Sequence, residues 1–380
     1  MMAAPATLHE PEEPGEEEDL LEPEAEALEA VEPARPVSWS LQIAKVERSI
    51  HDLYRSWTQK VLQLNPDFER NFVWDHSQQT KLIESVLARI PLPAFYLSEE
   101  NDEQTIVIDG QQRLTTIFRF IQGELVLGQL YLMPELNGKR FTDLDGKLQR
   151  RFEATPLTCF VLQPGTDSAV KFHVFERLNL GGVSLNAQEI RNGLFQGPGL
   201  DLVKHLAADT SPGSFFDVAG LRQPSKRMKE DELILRALAV LDIGPYAYAG
   251  STSQFLNDEI QHLNRLPWER LQDLASRLNS ALARTKVVFG EHAFRRYNPA
   301  DRTWTGQLNG PLLEILVFGF DKYFPGDDAL PQKTAVEILR RFERICGDEA
   351  FRGAITSATQ ATSRVRTRFD LWMKELSDVA

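Results

Sequence analysis

The sequence predicts an α+β protein, a small mixed α/β unit followed by a mostly helical one. Three observations carry this reading. Residues 105–108 (TIVI) are four buried-strand residues in a row, Asp109-Gly110 breaks the run, and Leu114, Ile117, Phe118 and Ile121 then recur at helical spacing. Short strand-like runs at 94–97 and 158–162 flank that strand–turn–helix unit. From about residue 200 onward apolar residues recur almost entirely at helical spacing, as at 232–241, 268–282, 312–320 and 334–345. Strands collected in one part of a chain and helices in the other define the class.

A chain of 380 residues can bury a sizeable core. Its formal charge of −13 is unevenly spread: residues 1–36 hold twelve acidic residues against Arg35, a net −11, which leaves −2 on all the rest. That first stretch is rich in Glu, Pro and Ala and cannot bury enough apolar surface to offset its ordering entropy, so it reads as a disordered, solubilising acidic tail. Residues 37–199 and 200–380 are then the two expected domains. Cys159 and Cys346 are too few for a disulfide framework and read as buried thiols in a reducing cytoplasm. The N-terminus lacks the basic and apolar regions of a secretory signal, and no apolar run is long enough to span a bilayer, so no membrane partner is expected.

Along the chain, Val46, Ile50, Leu53 and Trp57 suggest a first helix. The aromatic segment at 68–74 follows, and Ser77 is placed to cap a helix with an apolar face of Leu82, Ile83, Val86, Leu87 and Ile90, halted by Pro91. The strand at 94–97 and the central strand, joined by a polar loop, make a hairpin. Later, Val170, Val174 and Leu178 stripe one helix, and Asn186 with Glu189 has capping-box spacing for the next.

Much familiar chemistry is missing. The sequence has no phosphate-loop Gly-Lys-Ser/Thr, no dinucleotide-binding glycine fingerprint, no nucleophile elbow and no zinc spacing among its seven histidines. What remains is arginine and amide chemistry beside acids. The helix start after Gly110 offers unpaired N–H groups to an anion, Gly110 permits close approach, and Arg113 adds a fork suited to phosphate. The plainer reading is a strand-to-helix junction capped by Asp109. Arg70, Arg177 and Arg191 also stand beside turns or helix ends, and Asp109, Glu189 and Glu176 are candidate holders of Mg²⁺ or water.

Four ordered blocks give these residues a context: FERNFVW (68–74), IPLPAFYL (90–97), IDGQQRLTTI (108–117) and FERLNLGGVSLNAQEIRNGLF (175–195). Together they resemble the N-terminal domain of GmrSD-type, modification-dependent restriction endonucleases, the DGQQR family with a ParB/sulfiredoxin-like fold. The blocks at 231–240 and 363–368 resemble its helical part. The resemblance implies a ParB-like nucleotide-binding domain over 37–199 and NTP hydrolysis with Mg²⁺ or a similar divalent metal. Asp109 and Arg113 would be catalytic, and Arg70, Gly110, Gln111, Gln112, Asn179, Gly181, Gly182 and Arg191 would bind nucleotide. Asp109 and Glu189 would hold the metal. Glu69 stands where the family commonly has Gln. The family's HNH nuclease has no counterpart here, with no His-rich block and no His-x-x-Pro, so cleavage of DNA would fall to a partner nuclease in trans.

The sequence thus points to a cytoplasmic, nucleotide-binding and NTP-hydrolysing subunit of a restriction or anti-phage defence system that meets DNA. Two alternatives stand beside it: direct nicking of DNA at the same turn, or a non-catalytic nucleotide- or DNA-binding module. The basic runs at 226–229, 295–296, 340–341 and 364–368 discriminate, because a shared face would make a DNA track.

Overall fold

In the computed structural model, strand β1 (Ile43–Ser49) runs directly into helix α1 (Ile50–Thr58), where the Ser49 hydroxyl accepts the Asp52 N–H at 3.0 Å and caps the helix. The structure describes residues 22, 42–64, 72, 74–100, 104–178, 186–222, 225, 227–326 and 328–380. Val46, expected to open the first helix, lies in β1 opposite Cys159. The spacing from Val46 to Ile50 fits a helix, but residues 43–49 alternate in exposure with the period of a half-covered strand, and pairing with a neighbour decides between the two.

Strands β2 (Leu62–Gln63), β3 (Phe95–Glu99), β4 (Thr105–Asp109) and β5 (Pro156–Leu162) complete a mixed sheet in the order β1-β5-β3-β4-β2. β1 is antiparallel to β5, β5 parallel to β3, β3 antiparallel to β4, and β4 parallel to β2. The β3–β4 hairpin is the expected one, and its loop end is tied down by Arg48 on Glu99 at 3.3 Å and Lys171 on Glu100 at 2.8 Å.

Helix α2 (His76–Leu87) is capped by Asp75, not Ser77. Asp75 accepts the Gln78 N–H while the Gln78 side chain accepts the Asp75 N–H, a reciprocal pair that leaves Ser77 inside the first turn. Ile90 falls beyond the helix and is 47% exposed. Helix α3 (Gln111–Ile121) follows β4, and α4 (Gly146–Glu153) precedes β5. Helices α5 (Ser168–Leu178) and α6 (Ala187–Leu194) come next. The helical half comprises α7 (Pro198–Ala208), α8 (Phe215–Ala219), α9 (Lys229–Asp242), α10 (Thr252–Leu263), α11 (Trp268–Phe289), α12 (Gly310–Tyr323), α13 (Gln332–Ile345), α14 (Glu349–Thr356) and α15 (Thr362–Ser377). A small hairpin, β6 (Tyr297–Asn298) with β7 (Thr303–Trp304), interrupts it. Among the described residues, no helix is long and apolar enough to cross a membrane.

The sheet is a wall between two cores. Successive residues of a strand face opposite sides. Val107 and Val161 belong to a core built from α1, α2 and α3, whereas their neighbours Ile108 and Leu162 belong to the core of the helical half. Phe172 and Phe175 of α5 and Ile190 of α6 join that second core. The packing therefore divides at about α5, ahead of the boundary read from the sequence at 199/200, because the apolar faces of α5 and α6 find the far side of the sheet.

Candidate functional site

The turn from β4 into α3 is where the sequence places the chemistry. Gly110 caps α3 in a left-handed conformation, φ 102°, and brings no side-chain cap to the helix start. Asp109 does not cap the helix. Its Oδ2 accepts from Arg113 Nη2 at 2.7 Å, one turn along. The same guanidinium donates to the Ala94 carbonyl at 3.2 Å and to that of Pro93, and it lies over the Phe95 ring at 4.4 Å. Burial lowers the pKa of Arg113, and the Asp109 carboxylate opposes that shift. Arg113 thus clamps the strand entry at 93–95 to the turn, with 11% of its side chain exposed.

The two glutamines differ. Gln111 is buried and donates to the Val107 carbonyl at 2.9 Å, closing the turn from inside. Gln112 is half-buried, and its Oε1 is fully covered with no donor among the described residues. A buried acceptor left unmade costs about 1–3 kcal/mol, so this atom is a place where a ligand donor would be favoured.

Of the second block, Asn179, Gly181 and Gly182 lie outside the described residues, as does Arg70. Asn186 caps α6 in the capping box expected: its Oδ1 accepts the Glu189 N–H at 2.8 Å, and Glu189 Oε2 accepts the Asn186 N–H at 2.6 Å. Glu189 also pairs with Arg227 at 3.0 Å. The Glu189 carboxylate is thus shared between the helix cap and Arg227. Arg191 is 1% exposed, with Nε on Asn257 at 2.9 Å, Nη1 on Gln188 at 3.1 Å and Glu232 at 3.7 Å. Burial pushes its pKa down to about 10 against the pull of Glu232. Its charge is spent inside the helical core. Helices α5 and α6 do pack on β4, so the two sequence blocks meet through the backbone of one strand.

Residues 50–196 match the family model of the GmrSD restriction endonuclease N-terminal domain. The matched stretch begins with α1 and ends after α6, taking in the turn at Asp109, the strands from β2 to β5 and the two helices on the far face. It implies a role in a restriction or defence system. The blocks at 231–240 and 363–368 lie outside the matched residues. No curated protein and no solved structure matches the chain.

Around the GmrSD-type domain, the described residues contain no group of three or more His, Cys, Asp or Glu side chains placed to hold a metal. Glu176 lies 3.2 Å from His173 on the surface, and Arg177 is exposed. The basic runs are largely consumed internally. Arg227 pairs with Glu189, Arg295 donates to the carbonyls of Ala219, Glu291, Ala293 and Gly306, Arg341 pairs with Glu337, Glu375 and Asp378, and Arg368 pairs with Glu314. Lys226 lies outside the described residues. Guanidinium groups already bound to carboxylates and carbonyls are not a continuous track for a phosphate backbone. Cys159 and Cys346 are buried free thiols whose pKa values burial pushes up to about 11 and about 12, so neither is a thiolate nucleophile.

The sequence did not single out Phe95, Pro93 and Ala94 as the partners that hold Arg113. The signal was present only as the neighbouring block IPLPAFYL, since β3–β4 pairing, and nothing local, brings the two together.

Proposed function

We propose that this chain is a nucleotide-binding, NTP-hydrolysing subunit of a restriction or anti-phage defence system, with the phosphates seated at the start of α3. One observation carries the reading. In the sheet half, α1, α2, α4 and α6 begin on side-chain caps (Ser49, Asp75, Asp145, Asn186), whereas α3 begins on Gly110, which supplies none. Helices of the other half also start without one, and what sets α3 apart is the paired Asp109 and Arg113 beside its start. An uncapped helix start with its partial positive charge and a close glycine suits an anion.

Asp109 Oδ1 has no hydrogen-bond or ion-pair partner among the described residues, so this carboxylate can hold a divalent ion while Oδ2 stays on Arg113. Mg²⁺ held this way usually keeps its other positions for water and phosphate, and it would neutralise charge on the phosphate oxygens. Gln112 Oε1 would accept from a nucleotide hydroxyl or from water. Arg113 fixes the turn and adds positive charge, and Gln111 braces the strand end. With Arg227, Arg295, Arg341 and Arg368 of the basic runs engaged internally, DNA cutting belongs to a partner nuclease in trans, in the cytoplasm, and this subunit senses or regulates.

That Arg113 already has three acceptors favours a second reading, a nucleotide-binding module without turnover. One experiment separates them. Nucleotide binding and NTP hydrolysis are measured with Mg²⁺, with and without DNA, for wild type, Asp109→Asn and Gln112→Leu. The expected result is turnover in wild type and a loss of about 100-fold or more in Asp109→Asn, assayed where a urea curve shows the variant still folded, since the change also takes a carboxylate from the buried Arg113. Binding without turnover in wild type assigns the module instead. Absence of both in wild type removes the site.

A further inference from the structure

One residue of the acidic N-terminal stretch sits in the helical half. The Glu22 carboxylate receives Arg296 Nε on both oxygens, at 2.7 and 2.6 Å, and Asn309 Nδ2 at 2.8 Å. The Glu22 N–H donates to the Leu308 carbonyl at 2.9 Å. Only 11% of its side chain is exposed. A surface ion pair is ordinarily worth little, but a covered carboxylate with a guanidinium N–H shared by both oxygens, an amide donor and a backbone bond is a recognition geometry.

The receiving side is also held by contacts of its own. Asn309 is 3% exposed and caps α12: its Oδ1 accepts the Leu312 N–H at 3.0 Å, and its Nδ2 also donates to the Ile355 carbonyl at 2.9 Å. Glu22 therefore lies at the N-terminus of a long helix, where negative charge is favoured. Arg296 is fixed by the small hairpin, its N–H on Thr305 Oγ1 at 3.1 Å and its carbonyl accepting the Thr305 N–H at 2.9 Å. Its two Nη groups have no acceptor among the described residues, so its capacity for acids is not exhausted by Glu22. A cavity of about 390 Å³ opens beside it, lined by Arg296, Tyr297, Trp304, Arg352 and Ile355 among others.

We propose that Arg296, Asn309 and the Leu308 carbonyl form an acidic-peptide site, and that its ligand is the chain's own N-terminal segment anchored by Glu22. Charge complementarity selects the occupant: the first 36 residues carry a net −11, and the site presents an arginine, an amide donor and a helix start. The segment is therefore an intramolecular ligand in addition to a solubilising extension, which ties the two ends of the fold across more than 270 residues. Tethering holds the acidic segment at an effective concentration of roughly millimolar, so a free acidic peptide of the same sequence displaces it only at comparable concentration. This inference is independent of nucleotide binding at α3.

The test is residue-resolved amide hydrogen exchange on the full chain. The Glu22 N–H should exchange at least about tenfold more slowly than in a free peptide of residues 14–30, and the protection should fall with added salt. Glu22→Gln, which cannot unfold the helical half, should remove most of the protection, as should Arg296→Gln. The charge swap Glu22→Arg with Arg296→Glu should restore part of it. Added 14–30 peptide should speed Glu22 exchange in the wild type, and the same peptide carrying Glu22→Gln should do so far less. A Glu22 amide that exchanges at the free-peptide rate in wild type overturns the proposal. So does protection that survives Arg296→Gln.

Discussion

Gly110 meets two demands at once. Its φ of 102° is left-handed, and a Cβ added there would lie 2.4 Å from Phe95 Cδ1 and 2.9 Å from Cε1. Phe95 is 1% exposed and lies under the Arg113 guanidinium, so its ring cannot swing aside without breaking the clamp. Gly110→Ala then combines a backbone cost of about 1–2 kcal/mol with overpacking of about 1–3 kcal/mol. Gly123→Ala is the control: φ is 76° and nothing lies within 4 Å of the added carbon, so only the backbone cost applies. Urea unfolding should place Gly110→Ala about 2–4 kcal/mol below wild type and clearly below the control. Equal midpoints for the two variants would mean that Phe95 yields freely and the turn is loosely held. The sharp turn at Asp109-Gly110 was legible in the sequence, since one dipeptide announces it. The Phe95 ring was not, because it reaches Gly110 only through sheet pairing.

At the scale of elements, the helical half is held by a line of alternating charges. Arg191 on α6 meets Glu232 on α9 at 3.7 Å, and Glu232 meets Arg236 at 3.1 Å. Arg236 in turn meets Glu314 on α12 at 3.7 Å, and Glu314 meets Arg368 on α15 at 2.6 Å. Glu314 is 9% exposed and serves two buried arginines, so Glu314→Gln takes from Arg368 its carboxylate partner and from Arg236 one of its acids, and should cost about 3–5 kcal/mol. Adding Arg368→Met should cost less than the sum of the two single changes, because the second removes a charge the first has stranded. Additive thermal or urea data would show that the line is not coupled. These residues show where sequence reading stops. Helical periodicity gave α9, α11, α12 and α13 readily, since an apolar stripe is local information. An arginine's partner is not local, so Arg191 read as a phosphate ligand and Arg368 as part of a basic patch, while each is buried against an acid from another helix. The capping box at Asn186 and Glu189 was legible because both partners lie within one turn. Strand β1 was missed because its spacing also fits a helix and only its pairing with β5 decides.

Across the whole molecule, the sheet separates two cores, and the larger one encloses a carboxyl group with no counter-charge. Glu259 on α10 is fully buried, and neither carboxylate oxygen has a hydrogen-bond partner among the described residues. Asp242, at the end of α9, is held by His262 Nε2 at 3.0 Å and lies 3.9 Å from Arg270. Burial first, and the Asp242 charge second, push the Glu259 pKa from 4.5 up to about 8. The folded state therefore keeps a proton that the unfolded chain gives up. Between these two values the native state binds more protons than the unfolded one, so stability falls as pH rises, by about 1.4 kcal/mol per pH unit at most. This contribution is complete below the unfolded value of 4.5 and is lost by the time pH passes about 8. Glu259→Gln keeps the shape and removes the titration. Urea unfolding of wild type and variant at a series of pH values should show similar stability near pH 4.5 and a widening advantage for Glu259→Gln toward pH 8. Parallel curves across that window would mean that Glu259 ionises in the folded protein as it does in the unfolded chain, with water or a counter-charge reaching it inside the helical core.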